Sequence, residues 1–142
     1  MPKPGEWGYA LRNSRVLDED AMALQCNTVM RGEVAVIYCR GRIVFGEGDD
    51  ELRRVVLELL PQTRQVVLHL GWVTHIDSGG LGALVGLYIS ARNRHGEIKL
   101  AAVSPKAHEV LQTTKLTKLF DIHPSEEEAV AAFASGKRAA SA

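Results

Sequence analysis

The apolar positions change rhythm between Val66 and His95. A short continuous run, Val66-Val67-Leu68, extended by His69-Leu70, suits a buried strand. A turn-rich stretch, Gly71 to Asp77, follows it. Then Leu81, Leu84, Val85, Tyr88 and Ile89 fall at offsets 0, 3, 4, 7 and 8, one face of an α-helix. The segment predicts strand, loop and helix, with Asp77 and Ser78 at the helix start and Leu81, Leu84 and Val85 turned toward a sheet. Gly82 and Gly86, four apart, predict tight packing of that helix on a neighbour.

The same reading extends along the chain. Ala23 to Met30 and Val34 to Cys39 suit strands, joined by a hairpin at Arg31-Gly32-Glu33 in which the glycine supplies a positive φ. Gly41, Gly46 and Gly48 predict a loop around Ile43-Val44-Phe45. Asp49-Asp50-Glu51 open a helix whose apolar positions are Leu52, Val55, Val56 and Leu59, and Pro61 ends it. Ile98 to Val103 reads as a strand. Ser104-Pro105 starts a helix by N-cap plus proline. Leu116 to Ile122 fits a turn and a short edge strand. Ser125 with Glu128 forms a capping box, and Ala129, Val130 and Phe133 face inward from the helix that follows. Residues 1–20 read as an N-terminal arm, 21–135 as one domain and 136–142 as a tail.

A hairpin followed by alternating helices and strands predicts an α/β fold. It should have a mixed four- to five-stranded sheet with helices mainly on one face, a two-layer sandwich. At 142 residues, 46% hydrophobic and 24% charged, the chain has the makings of a single core. Its 17 basic and 17 acidic residues give no electrostatic reason to bind nucleic acid or an anionic membrane. No apolar run approaches the roughly 20 residues of a membrane helix, and residues 1–15 lack a signal-peptide centre, so a soluble, cytoplasmic protein is expected. Cys26 and Cys39 have no metal-ligand spacing and are expected as small buried residues on adjacent strands. The five histidines are scattered without ligand spacing, so no metal and no cofactor are expected.

Asp77-Ser78-Gly79-Gly80 invites comparison with the serine of trypsin-like proteases. Here, however, the serine opens a helix after a strand, Asp77 is its immediate neighbour, and no Gly-x-Ser-x-Gly elbow is present. An enzyme is not expected. At a helix start either residue can serve as cap, and Asp77 can accept the N–H of Gly79 or Gly80. That leaves Ser78 free to meet a partner or a phosphate in the field of the helix dipole. Gly79 and Gly80 cost helix stability, which a chain tolerates where something must approach the backbone closely. Trp72 and Val73 are either core or a docking patch.

Residues 34 to 133 resemble a STAS domain of the bacterial anti-sigma factor antagonist type. The resemblance rests on Ile76-Asp77-Ser78-Gly79-Gly80-Leu81-Gly82 and the helix after it, on Gly41-Arg42-Ile43, and on Lys115-Leu116 to Phe120-Asp121-Ile122 followed by an acidic helix start. It implies a mixed sheet and no catalysis. The expected partner is an anti-sigma factor, often an ATP-dependent serine kinase, whose capture releases a sigma factor. It also implies phosphorylation of the serine after the aspartate, here Ser78, with Asp77, Ser78, Gly79, Gly80, Leu81, Trp72 and His75 facing the partner, and a monomer or weak dimer. Gly79 departs from the many members with a second serine or threonine there. The alternative is a STAS module that binds a small ligand or serves a transporter or stress complex, with Ser78 only a cap.

Overall fold

The computed structural model describes residues 23–135. The expected arm and tail lie outside the described residues. Five strands form one sheet in the order β1-β2-β3-β4-β5: β1 (Gln25–Arg31), β2 (Val34–Ile43), β3 (Gln65–Ile76), β4 (Glu97–Ala101) and β5 (Asp121–His123). β1 is antiparallel to β2, and the remaining pairings are parallel. The helices are α1 (Glu47–Leu59), α2 (Ser78–Asn93), α3 (Pro105–Thr113) and α4 (Glu126–Ser135), with a 3₁₀ turn at Leu116–Lys118.

The expected α/β architecture is the observed one. The β1–β2 turn tightens to Gly32-Glu33, with Gly32 at φ 65°. Three helices cover one face. Leu52 and Val56 of α1, Leu84, Leu87 and Ala91 of α2, and Ala107 and Leu111 of α3 pack on Ala35, Ile37, Leu68, Ile98 and Leu100. The fourth helix covers the opposite face, where Ala129 meets Val34, Val36, Tyr38, Val67 and Ala101. Ion pairs hold this side as well. Tyr38 donates to Glu126 at 2.6 Å, and Arg31 pairs with the same carboxylate. Buried Lys99 meets Asp121 at 2.6 Å beneath the ring of Phe133.

Three expectations are corrected. First, the stretch from Gly71 to Ile76 is strand, not loop, and β2 likewise runs through Gly41 to Ile43. Each segment supplies the other's ladder partners, with Arg40 opposite Trp72 and Ile43 opposite Ile76, a long-range pairing that turn propensity does not see. Second, the buried face of α2 is Gly80, Ala83, Leu84, Leu87 and Ala91. Leu81 and Tyr88 pack partly on the core, but Ile89 is 51% exposed and Val85 is only half-buried. The helix is apolar on nearly every side, so periodicity does not single out one face. Third, a Cβ on Gly82 would meet nothing within 4 Å, and one on Gly86 only the tip of Arg53 at 3.7 Å; these glycines do not seat the helix. Smaller shifts also occur. α1 begins at Glu47, where Asp49 accepts the N–H of Gly46, and β4 ends at Ala101.

Cys26 and Cys39 are direct cross-strand partners with free thiols, as adjacency on neighbouring strands implied; Cys39 is buried as expected, but Cys26, on the edge strand, is only half-buried.

Candidate functional site

The site forms where β3 ends against β2. The Asp77 N–H reaches the Ile43 carbonyl at 3.4 Å, closing the ladder, and the Leu81 N–H reaches the Asp77 carbonyl at 2.9 Å, starting α2. Asp77 is extended, with φ −107° and ψ −173°, the geometry of an N-cap, and its carboxylate accepts the Gly80 N–H at 2.9 Å. The same carboxylate accepts the Phe45 N–H at 3.1 and 3.2 Å. The Gly80 bond holds the Asp77 carboxyl below the usual carboxylate range; slight burial opposes this, and the N–H groups of Phe45 and Gly79 add to it.

Asp77 therefore takes the capping role. Ser78 is the first helical residue, is exposed, and makes no side-chain hydrogen bond among the described residues.

Gly79 and Gly80 are explained by the chain's own β2–α1 connection. A Cβ on Gly80 would lie 1.9 Å from the Ile43 carbonyl oxygen, and one on Gly79 would lie 2.7 Å from the Cβ of Phe45. A side chain at position 79 would therefore crowd Phe45. The close approach presents Phe45, 81% exposed, beside the start of α2. Sequence reasoning did not single out Phe45. An aromatic residue beside Gly46, in a loop at the same end of the sheet, was the available signal.

The remaining sequence-derived site residues separate. His75 is exposed and shares a 3.0 Å contact with Thr74 Oγ1; it stays near Asp77. Leu81 is half-buried against the core. Trp72 turns to the α4 face, stacked on His69 at 4.6 Å between ring centroids and 6.4 Å from Tyr38. The cause is a bulge. Tyr38 pairs with His69 and Arg40 with Trp72, so two β3 residues oppose Cys39. An odd spacing of three then lands on the same face. Burial holds the His69 imidazole below its usual range, so it sits neutral in this cluster.

No group of three or more potential metal ligands occurs among the described residues, and no described helix is long and apolar enough to cross a membrane.

The domain is an open mixed α/β sheet with an exposed serine one residue past a helix cap. Residues 25–129 match the STAS domain family model, and the chain belongs to that family. It is similar to an anti-sigma F factor antagonist from Paenibacillus polymyxa, 32% identical over 69 residues, which are 49% of this chain and 59% of the relative. The match thus spans about three-fifths of that relative's length. Among solved structures it resembles the anti-sigma factor antagonist SpoIIAA in its unphosphorylated form, with a TM-score of 0.64, 22% identity, and coverage of 82% of this chain and 100% of the other. It also resembles the phosphorylated form of that Bacillus protein, with a TM-score of 0.59, 22% identity, and coverage of 77% and 97%. A sulfate transporter family protein from Wolinella succinogenes shares the fold at a TM-score of 0.63, 22% identity, and coverage of 72% and 86%.

Proposed function

We propose that this STAS domain is an anti-sigma factor antagonist that captures an anti-sigma factor serine kinase and is switched off by phosphorylation of Ser78. The observation that carries the reading is the division of labour at the start of α2. Asp77 satisfies the cap, and Ser78 is left exposed and unengaged. The similarity to anti-sigma factor antagonists supports the choice of partner.

The switch follows from charge. Phosphorylation adds about −1.5 to −2 charges. The helix N-terminus tolerates an anion, so the domain stays folded. A partner seated over Ser78 and Phe45 meets that dianion at a surface from which water must leave, and binding falls. The domain performs no chemistry of its own and needs no cofactor; it supplies a hydroxyl to the kinase and acts in the cytoplasm.

The test combines the chain, an anti-sigma factor kinase and ATP. Phosphopeptide mass spectrometry should place phosphate on Ser78, and Ser78→Ala should abolish it. Calorimetry should show wild type and Ser78→Ala binding alike and the phosphorylated chain binding more weakly. Equal affinity for all three forms would reject the switch and leave a STAS module without phospho-control.

A further inference from the structure

A cavity of about 210 Å³ opens beside the cap, at the carboxyl ends of β2 and β3 and against α3. Its lining combines Arg42, His75 and Lys106 with the apolar Val44, Ile76 and Val110. Arg42 and Lys106 make no ion pair among the described residues, and Arg42 Nε is a buried donor without a hydrogen-bond partner. Asp77 is the one carboxylate on the lining, and its oxygens already accept from Gly80 and Phe45. Two fixed positive charges outweigh it, so the cavity favours an anion. The carboxyl ends of strands are where open α/β sheets take ligands.

We propose that this cavity binds a small organic anion, a phosphate or carboxylate head on a short apolar body. Its volume is below the roughly 300 Å³ at which drug-sized pockets begin, so the body is limited to a few carbons. The head faces Arg42 and Lys106; the body lies on Ile76 and Val110. Because Asp77 and His75 line the cavity, an occupant sits against the Ser78 site and acts as an effector there. The binding itself stands apart from the kinase reading and holds whether or not Ser78 is ever phosphorylated.

Monobutyl phosphate, inorganic phosphate and 1-butanol serve as probes, each titrated into the ¹⁵N-labelled full chain at low salt. Monobutyl phosphate should give saturable shifts centred on the amides of Val44, Ile76 and Asp77. Inorganic phosphate should bind more weakly at the same amides, and butanol should not saturate. Arg42→Gln with Lys106→Gln should weaken monobutyl phosphate by about ten-fold or more, since each removes a charged donor. Lys106→Gln alone, on the exposed first turn of α3, should still weaken it by about three-fold if Arg42 proves necessary for folding. No saturation at these amides would overturn the proposal. So would shifts spread over surface lysines generally, or variants that bind as wild type does.

Discussion

The Asp77 carboxylate accepts the backbone N–H of Phe45, 32 residues earlier in the chain, while it caps α2 through Gly80. One side chain thereby ties the β2–α1 connection to the helix that begins with Ser78. Asp77→Ala should lower stability by about 0.5–2 kcal/mol, the range for losing a helix cap. Asp77→Asn should cost less, because asparagine also caps. The folded carboxyl titrates below its unfolded value. Its contribution is therefore complete above the ordinary carboxylate range near pH ~4 and is lost as pH falls through the lowered folded value. Urea titrations of wild type and Asp77→Ala across the acid range check this: the gap between them should close as pH drops.

Leu84 is fully buried on α2, and Ile89 is half exposed. Leu84→Ala should cost about 2–5 kcal/mol. Ile89→Ala should stay within about 0.5 kcal/mol. Denaturant midpoints distinguish the observed face from the one that periodicity alone selects.

The glycines of α2 divide in the same manner. Gly80→Ala places a methyl against the Ile43 carbonyl and should unfold or severely weaken the domain. Gly82→Ala enters open space and should stabilise by up to about 1 kcal/mol. Thermal melts of the two variants should shift in opposite directions.

On the other face, Tyr38 donates to Glu126 and holds α4 to the sheet. Burial first, and the neighbouring carboxylate second, push the phenol up to about 12. Its folded value exceeds its unfolded value. Its contribution is thus full below pH 10 and is lost as pH rises toward 12. Tyr38→Phe should cost about 1–3 kcal/mol near neutrality and should flatten the alkaline decline measured by denaturation.

At the proposed switch, Ser78→Asp should fold as well as wild type, since an anion at a helix N-terminus is favoured by about 0.3–1 kcal/mol. It should bind the anti-sigma factor kinase more weakly. Phe45→Ala should leave the melting temperature unchanged, because the ring is exposed. It should cost partner binding more than about 1 kcal/mol, as buried aromatic anchors do. Calorimetry with the kinase measures both; unchanged affinity in Phe45→Ala would move the docking face elsewhere.

Sequence alone determined the local features. Ser104-Pro105 and Asp77-Ser78 marked helix starts because a cap is settled within three or four residues. Gly32 marked the hairpin because a positive φ is a one-residue property. The order of strands and helices yielded the mixed sheet, and the motif around Ser78, together with Gly41-Arg42-Ile43 and the stretch from Lys115 to Ile122, pointed to the family. Tertiary structure decided what depends on partners distant in the chain. Whether residues 71–76 were strand or loop rested on hydrogen bonds to β2, made some thirty residues earlier. Which side of the apolar helix α2 was buried rested on where the sheet lay. Trp72 reached the α4 face only because a bulge opposite Cys39 broke the alternation. Phe45 and Arg42 joined the Ser78 region through a backbone approach that the absent side chains of Gly79 and Gly80 allow. A residue's neighbours in sequence carry its backbone preferences, but its surroundings are set by packing, and packing is decided by the whole chain at once.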